Sequence, residues 1–207
     1  MTIIAIDGTF ASGKGTLGKG LAAHYGLPYM DTGKLYRATA KRVLDAGGDV
    51  GNSEDGAAAA KQITPEDLSD SILKSGPIGA AASKVSVHPE VRAALLQVQR
   101  SFAAKGGILD GRDIGTVICP DADVKLYVTA TPEERARRRH AELTGYGETF
   151  SVDEVLSQLI ERDTRDSTRA AAPLKPAEDA HMLDTTDLGI KESLQAAIDI
   201  CEAVFAK

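Results

Sequence analysis

The sequence predicts an α/β fold, a parallel sheet flanked by helices. Three observations carry that expectation. Short, apolar, β-branched runs alternate with longer segments of helical periodicity, the pattern of strand–helix–strand units. The first such run, residues 2–6 (TIIAI), is apolar throughout, as suits a strand covered on both faces. A glycine-rich turn follows it directly and leads into a helical segment, so a strand's carboxyl end meets a helix N-terminus.

The other elements follow in order. Residues 14–25 read as a helix, and residues 31–46 as a second, with Leu35, Ala38 and Arg42 near one stripe and Gly47-Gly48 as its stop. Residues 47–56 read as a loop, and the small, Gly/Ala-rich stretch 75–82 gives no element. Thr64-Pro65-Glu66-Asp67 carries a helix start: a threonine N-cap, proline at the first helical position and acids in the first turn. Residues 89–105 form a long helix with Val91, Leu95 and Val98 on one side, ended by Gly106-Gly107. Ile108-Leu109 and residues 124–128 are further strands. Thr131-Pro132-Glu133-Glu134 and Ser151-Val152-Asp153-Glu154 are capping boxes. The second opens a strongly amphipathic helix with Val152, Val155, Leu156, Leu159 and Ile160 on one face. Residues 181–183 make a last strand, and Ile190, Leu194, Ile198, Cys201 and Phe205 stripe a C-terminal helix. No repeat or low-complexity linker divides residues 1–207, which read as one core domain carrying inserted segments.

Composition narrows the function. Hydrophobic residues are 43% and charged residues 26%, ordinary for a globular chain. No apolar run approaches the ~20 residues of a membrane span. The N-terminus has no basic region and reaches Asp7 at once, unlike a signal peptide. Cys119 and Cys201 lie far apart without a CxxC motif and read as reduced thiols of a cytoplasmic protein. His24, His88, His140 and His181 are scattered without ligand spacing, which argues against zinc. A net charge of −6, 4% aromatics and no tryptophan disfavour a grip on long nucleic acids, which need basic tracks and stacking platforms.

The chemistry begins at Gly8-Thr9-Phe10-Ala11-Ser12-Gly13-Lys14-Gly15-Thr16. Phosphate oxygens need many converging donors and no side-chain obstruction. Gly13 and Gly15 let backbone N–H groups approach, the helix N-terminus adds its positive end, and Lys14 supplies a point charge. Strand, loop and helix agree on a phosphate-binding loop, or P-loop. Gly15 separates Lys14 from Thr16, the hydroxyl placed to meet Mg2+. The GKGT ending resembles nucleoside monophosphate kinases rather than GTPases, and the guanine-reading NKxD box is missing: Asn52, the only asparagine, precedes Ser53.

Two further constellations carry charge. Asp110-Gly111-Arg112-Asp113 follows a strand, where ligands of parallel sheets sit. An aspartate there can order Mg2+ or its waters, or simply pair with an arginine at the surface. Eight of the twelve arginines fall between Arg112 and Arg169. Arg162, Asp166 and Arg169 are spaced i, i+4, i+7 and share a face if the helix reaches them. Forked guanidiniums suit a phosphate and the carboxylate between them a ribose hydroxyl. A solvated, salt-bridged helix surface fits the same spacing. For Arg135, Arg137, Arg138 and Arg139 the two readings balance.

At this point the chain resembles the bacterial cytidylate kinases (CMP/dCMP kinases) of the P-loop nucleoside monophosphate kinase superfamily, over nearly its whole length. The resemblance rests on the P-loop, Asp31-Thr32-Gly33-Lys34-Leu35-Tyr36-Arg37, His88-Pro89-Glu90-Val91-Arg92, Asp110-Gly111-Arg112-Asp113-Ile114-Gly115-Thr116-Val117, residues 120–139 and residues 161–173. It implies a P-loop core, a nucleotide-monophosphate (NMP) binding segment at about 31–100 and an arginine-rich lid at about 137–165. It implies that Ser83, Arg92 and Asp113 read the cytosine edge, with Thr32 close to the base. Arg37, Arg112 and Arg169 would bind the acceptor phosphate, and Arg162 and Asp166 the sugar hydroxyls and phosphates. The P-loop would hold ATP, and Lys14, Arg112 and Arg162 would carry catalysis. Three departures stand out. Lys34 replaces the usual alanine and Thr9 the usual proline, and Lys74 replaces the usual arginine beside a largely missing β insertion, so the NMP-binding insertion is reduced.

The expected activity is transfer of the γ-phosphoryl of MgATP to CMP or dCMP by a cytoplasmic monomer that binds small nucleotides, with no polymeric nucleic acid and no membrane as partner. Kinases of UMP, AMP or shikimate, and a nucleotide-binding module without catalysis, are the alternatives.

Overall fold

The computed structural model describes residues 1–206. Strand β1 (Ile3–Gly8) is the centre of a five-stranded parallel sheet of order β2-β3-β1-β4-β5. Its partners are β3 (Gly107–Asp110) and β4 (Val124–Thr129), with β2 (Tyr29–Asp31) and β5 (His181–Asp184) at the edges. Ile4 lies between Ile108 and Val124, and Ile6 between Asp110 and Leu126. That register puts Gly8, Asp110 and Asp31 at one end of the sheet, Asp31 directly opposite Asp110.

Both faces are covered, so the inner strands are apolar on both sides. Helices α1 (Lys14–Tyr25) and α8 (Ile190–Phe205) bring Leu17, Leu21, Ala197 and Cys201 against Ile4, Ile6 and Leu126. On the other face Ala103 of α5 (Pro89–Ala103) and Ile114 and Ile118 of a single π turn (Ile114–Ile118) meet Ala5 and Leu109. A second core lies among α2 (Thr32–Asp45), α3 (Ser53–Ala60), α4 (Gly76–Val85) and α5, around Leu35, Val43, Val85, Val91 and Leu95. A hairpin of α6 (Pro132–Gly145) and α7 (Val152–Thr168) has a small core of its own at Ala136, Leu143 and Val155.

The expected α/β class is present, with local differences. The stretch read as a loop contains the start of α3, whose Asn52 cap accepts the N–H groups of Glu54 and Asp55; the following alanines sustain the helix despite Gly56. The featureless 75–82 stretch lies in α4, because its small residues allow close packing on α2. The helix start at Thr64 keeps half of a capping bond, Asp67 accepting the Thr64 N–H, but goes on only as 3₁₀ turns at Asp67–Ser69 and Ser71–Lys74, with Asp67 also paired to Arg42. Strand β2 is too short to show a period. At Thr131 the capping box is half made: Thr131 accepts from Glu134 N–H, while the Glu134 carboxylate pairs with Arg137 and Arg138. The box at Ser151 is complete.

Asp7 fixes the π turn to the sheet. Its two carboxylate oxygens accept the N–H groups of Ile114 at 2.8 Å and Gly115 at 2.7 Å. Burial pushes the carboxyl pKa up to about 6 against those bonds. Asp7→Ala should lower the unfolding free energy by roughly 2–4 kcal/mol, with two buried donors left unpaired. A urea midpoint within error of wild type would count against that anchoring role.

Candidate active site

The P-loop leaves β1 through Gly8, whose φ of +142° and close approach to β4 only glycine permits; a Cβ there would lie 1.9 Å from the Val128 carbonyl oxygen. Ala11 holds a left-handed φ of 61°, a conformation that costs an L-residue roughly 1 kcal/mol. Gly13, at φ 93°, is the N-cap of α1 and offers no side chain to its first turn. The first N–H groups of α1 therefore stay free for an anion. Lys14 is buried, and its Nζ donates to the loop's own Thr9 carbonyl at 2.5 Å. Burial pushes its pKa well down, with Arg112 adding to the effect.

The strand ends supply carboxylates. Asp110 accepts the Tyr29 hydroxyl at 2.5 Å, and its backbone carbonyl accepts Thr32 Oγ1 at 2.7 Å. Burial first, and then the neighbouring Asp31, raises the Asp110 pKa to about 6. The N-terminus of α2 opens beside them, where Thr32, Gly33, Lys34 and Arg37 line the same cleft.

Three guanidiniums surround one carboxylate. Asp166 accepts Arg112 Nε at 3.2 Å, and its oxygens lie 3.9 Å from Arg162 and 3.9 Å from Arg169. Helix α7 ends at Thr168 with Arg169 as its C-cap, so the i, i+4, i+7 spacing does converge. Burial alone would raise the Asp166 carboxyl; Arg112, Arg162 and Arg169 together hold it below the usual range. Burial depresses the Arg162 guanidinium, and Asp166 opposes the shift. Arg162 Nε and Arg169 Nη2 are buried without a hydrogen-bond partner.

Deeper between α4 and α5, Arg92 pairs with Asp113 at 2.5 Å, donates to the Ser86 carbonyl at 3.2 Å and lies over the Tyr36 ring. Ser83 is buried behind this wall, outside the cleft lining, and its hydroxyl accepts Arg165 Nη1 at 2.7 Å. Gly8 and Thr9 are likewise not in the lining, which takes up the loop from Phe10 to Thr16. The remaining expected site residues, Thr32, Arg37, Arg92, Arg112, Asp113, Arg162, Asp166 and Arg169, all line one cleft of 890 Å³.

The arginines of α6 divide. Arg135 is buried and holds structure, donating to the Ala130 and Phe10 carbonyls and pairing with Asp163 of α7. Arg137 is exposed and pairs with Glu134. Arg138 joins Glu134 to Thr185, and Arg139 pairs with Glu142. Motif spacing missed the wall beyond the loop, Thr185, Leu188, Ile190 and Leu194, because those residues are ordinary in type. Twelve lysine and arginine side chains line the cleft against six carboxylates. The arrangement suits two closely spaced polyphosphate or phosphate groups and, at the Arg92–Asp113 end, a ring with both donors and acceptors.

A family model described as Cytidylate kinase matches residues 4–203. The cytidylate kinase of one Rhodopseudomonas palustris strain is 55% identical over 206 residues, spanning 99% of this chain and 97% of that protein. That of Methylocella silvestris is 55% identical over 203 residues, 97% and 94% of the two chains. A crystal structure of a Thermus thermophilus protein aligns with a TM-score of 0.50 at 25% identity, over 99% of this chain and 96% of that one. An uncharacterized protein from Eubacterium ventriosum aligns with a TM-score of 0.56 at 14% identity, over 98% of each, and shares the fold alone.

Burial holds the Asp110 carboxyl at a pKa of about 6 in the folded chain, above the 3.8 usual for an aspartate. The native state binds the extra proton between about pH 4 and 6, so this group's contribution to stability declines as pH rises through that window. The stability of wild type relative to Asp110→Asn should fall by up to roughly 3 kcal/mol from pH 4 to 6.5. Urea unfolding at several pH values measures it, and a flat or rising difference contradicts the assignment.

Proposed function

The chain belongs to the cytidylate kinase family, and on that premise we propose that its cleft transfers the γ-phosphoryl of MgATP to the phosphate of CMP or dCMP, giving CDP or dCDP and ADP. The observation that carries this reading is the pair of buried, unpartnered guanidinium nitrogens, Arg162 Nε and Arg169 Nη2, beside Arg112 and a single shared Asp166. Buried donors are seldom left unsatisfied, and phosphate oxygens are the acceptors that match them in charge and geometry.

In this reading the N–H groups around Gly13 and the Lys14 ammonium hold the donor phosphates, with Lys14 exchanging the Thr9 carbonyl for phosphate oxygen. Arg37, Arg112 and Arg169 hold the acceptor phosphate, Arg162 spans both groups, and Asp166 turns toward the sugar hydroxyls. An acceptor oxygen bonds to the γ-phosphorus as the bond to the β–γ bridging oxygen breaks and ADP leaves. No general base is needed, because a phosphate monoester carries about −1.5 to −2 charges at pH 7. Catalysis is positioning and charge stabilisation. The Thr16 hydroxyl and the Asp110 and Asp31 carboxylates are hard oxygen donors on the cleft wall, a set that fits Mg2+. When bound, the ion supplies neutralisation of charge between the phosphates.

The Arg92–Asp113 pair supplies donors and an acceptor to one base edge. Cytosine matches it through its amino group against Asp113 and its ring acceptors against Arg92, with Thr32 nearby and Ser83 acting through Arg165. Uracil would set a carbonyl against the Asp113 carboxylate. Helices α2 to α5 then form the NMP-binding segment, all-helical where a β insertion is usual in the resemblance, and α6 and α7 form the lid. Both cysteines are free and buried, and among the described residues no helix is long and apolar enough to cross a membrane; the reading is of a monomeric cytoplasmic enzyme of pyrimidine nucleotide metabolism.

A phosphate-acceptor panel with ATP should show CMP and dCMP turned over roughly 100-fold better than UMP, AMP or GMP in kcat/KM, since a mismatched buried polar edge is strongly rejected. Comparable rates on AMP or UMP would sink the base assignment. Lys14→Ala should reduce turnover by at least about 100-fold with an unchanged circular dichroism spectrum. Arg92→Met should raise KM for CMP while leaving ATP affinity within about threefold, the signature of lost uniform binding; equal losses on both substrates would remove Arg92 from the base pocket.

A further inference from the structure

Phe10 is the one aromatic side chain on the phosphate loop, and it lies against the arginines of the α6–α7 hairpin. The Arg162 guanidinium carbon is 3.9 Å from its ring centroid, and that of Arg139 is 5.5 Å away. The Phe10 carbonyl accepts Arg135 Nη1 at 3.0 Å, and Arg135 in turn pairs with Asp163 of α7 at 2.7 Å. Backbone and ring of one residue therefore both face the hairpin. Arg162 is otherwise weakly held: Nη1 donates to the Gly79 carbonyl at 3.2 Å, the nearest Asp166 oxygen is 3.9 Å away, and Nε has no partner. A buried guanidinium with so few hydrogen bonds needs another source of orientation. The π face of an aromatic ring attracts a cation most strongly where water is excluded, and a planar guanidinium stacks on it in a defined plane.

We propose that Phe10 is a positioning residue whose ring, by stacking with Arg162, sets the plane and height of that guanidinium above the phosphate loop. The proposal rests on the reading of Arg162 as the group that spans donor and acceptor phosphates. The loop that grips the donor phosphates thus also aims the arginine that must meet them. The ring acts on the reaction through Arg162, so it should affect kcat more than substrate binding.

The test is a set of Phe10 and Arg162 variants of the full chain. Phe10→Leu, which keeps apolar bulk but loses the π face, should lower kcat about 10-fold with KM for ATP and CMP within about threefold. Phe10→Tyr should restore most of that loss. In an Arg162→Ala background Phe10→Leu should cost nothing further, as coupled residues are non-additive. The Arg162 Nε–H resonance, shielded by the ring in wild type, should move on Phe10→Leu and stay with Phe10→Tyr. A Phe10→Leu enzyme of wild-type kcat, a loss fully additive with Arg162→Ala, or an unmoved resonance each overturns the proposal. Arg162→Ala with unchanged turnover would instead refute the phosphate-spanning role; a resonance that still responds to Phe10 would then show the stack to stand without it. Equal thermal midpoints for Phe10→Leu and Phe10→Tyr separate these effects from misfolding.

Discussion

Three guanidiniums share a single buried carboxylate at Asp166, and the cleft depends on that imbalance. Arg112, Arg162 and Arg169 come from the end of β3 and the end of α7, and each would repel the others in a low-dielectric cleft. Asp166 makes their proximity tolerable with one negative charge. It does not satisfy them: two buried nitrogens keep no partner. Asp113, whose Oδ1 lies 3.9 Å from Arg169 Nη2, adds a second negative charge without closing a hydrogen bond to it. The unmet donors are what leave room for an anion, so stability is given up where binding is wanted.

The scaffold supports this arrangement from several sides. The parallel register brings Asp31 opposite Asp110 and ends β1 at Gly8, so the loop and the carboxylates open on the same rim. Asp7 holds the π turn from behind, which fixes the strand-end segment carrying Arg112 and Asp113. The helices α1 and α2 both begin at this rim without a side-chain cap. Their N-terminal N–H groups add partial positive charge, opposed at α2 by the Asp31 carboxylate at its N-cap position.

The skeleton of the candidate site is legible in the sequence because it is local. The P-loop is a contiguous run between a strand and a helix, and the Arg162, Asp166 and Arg169 spacing needs only helical geometry to converge. The two-sided apolar strands announced a parallel sheet for the same reason. What stayed hidden depends on partners distant in the chain. The arginines at 135, 137, 138 and 139 look alike in sequence, yet Arg135 is a buried strut to Asp163 and Arg137 lies in solvent. Helix α4 escaped notice because its glycines and alanines have no amphipathic contrast; their value is close packing on α2. Ser83 matched a motif but spends its hydroxyl on Arg165, a contact spanning two helices far apart in sequence.

The placement of charge also sets how fast ligands of different shape arrive. The cleft holds twelve of the 24 basic and six of the 30 acidic side chains, leaving twelve basic against 24 acidic groups over the rest of the chain. A small anion near the protein meets an exterior with twice as many acidic as basic groups and a cleft with the opposite ratio, where low-dielectric walls focus the attracting field. Encounters that would end on a barren face are turned away, and collisions are gathered at the cleft. A long polyanion gains nothing from this geometry, because its flanks must lie along the acidic exterior while a single residue reaches inside. On the function proposed above, this distribution of charge would favour single nucleotides over nucleic-acid strands before any base is read.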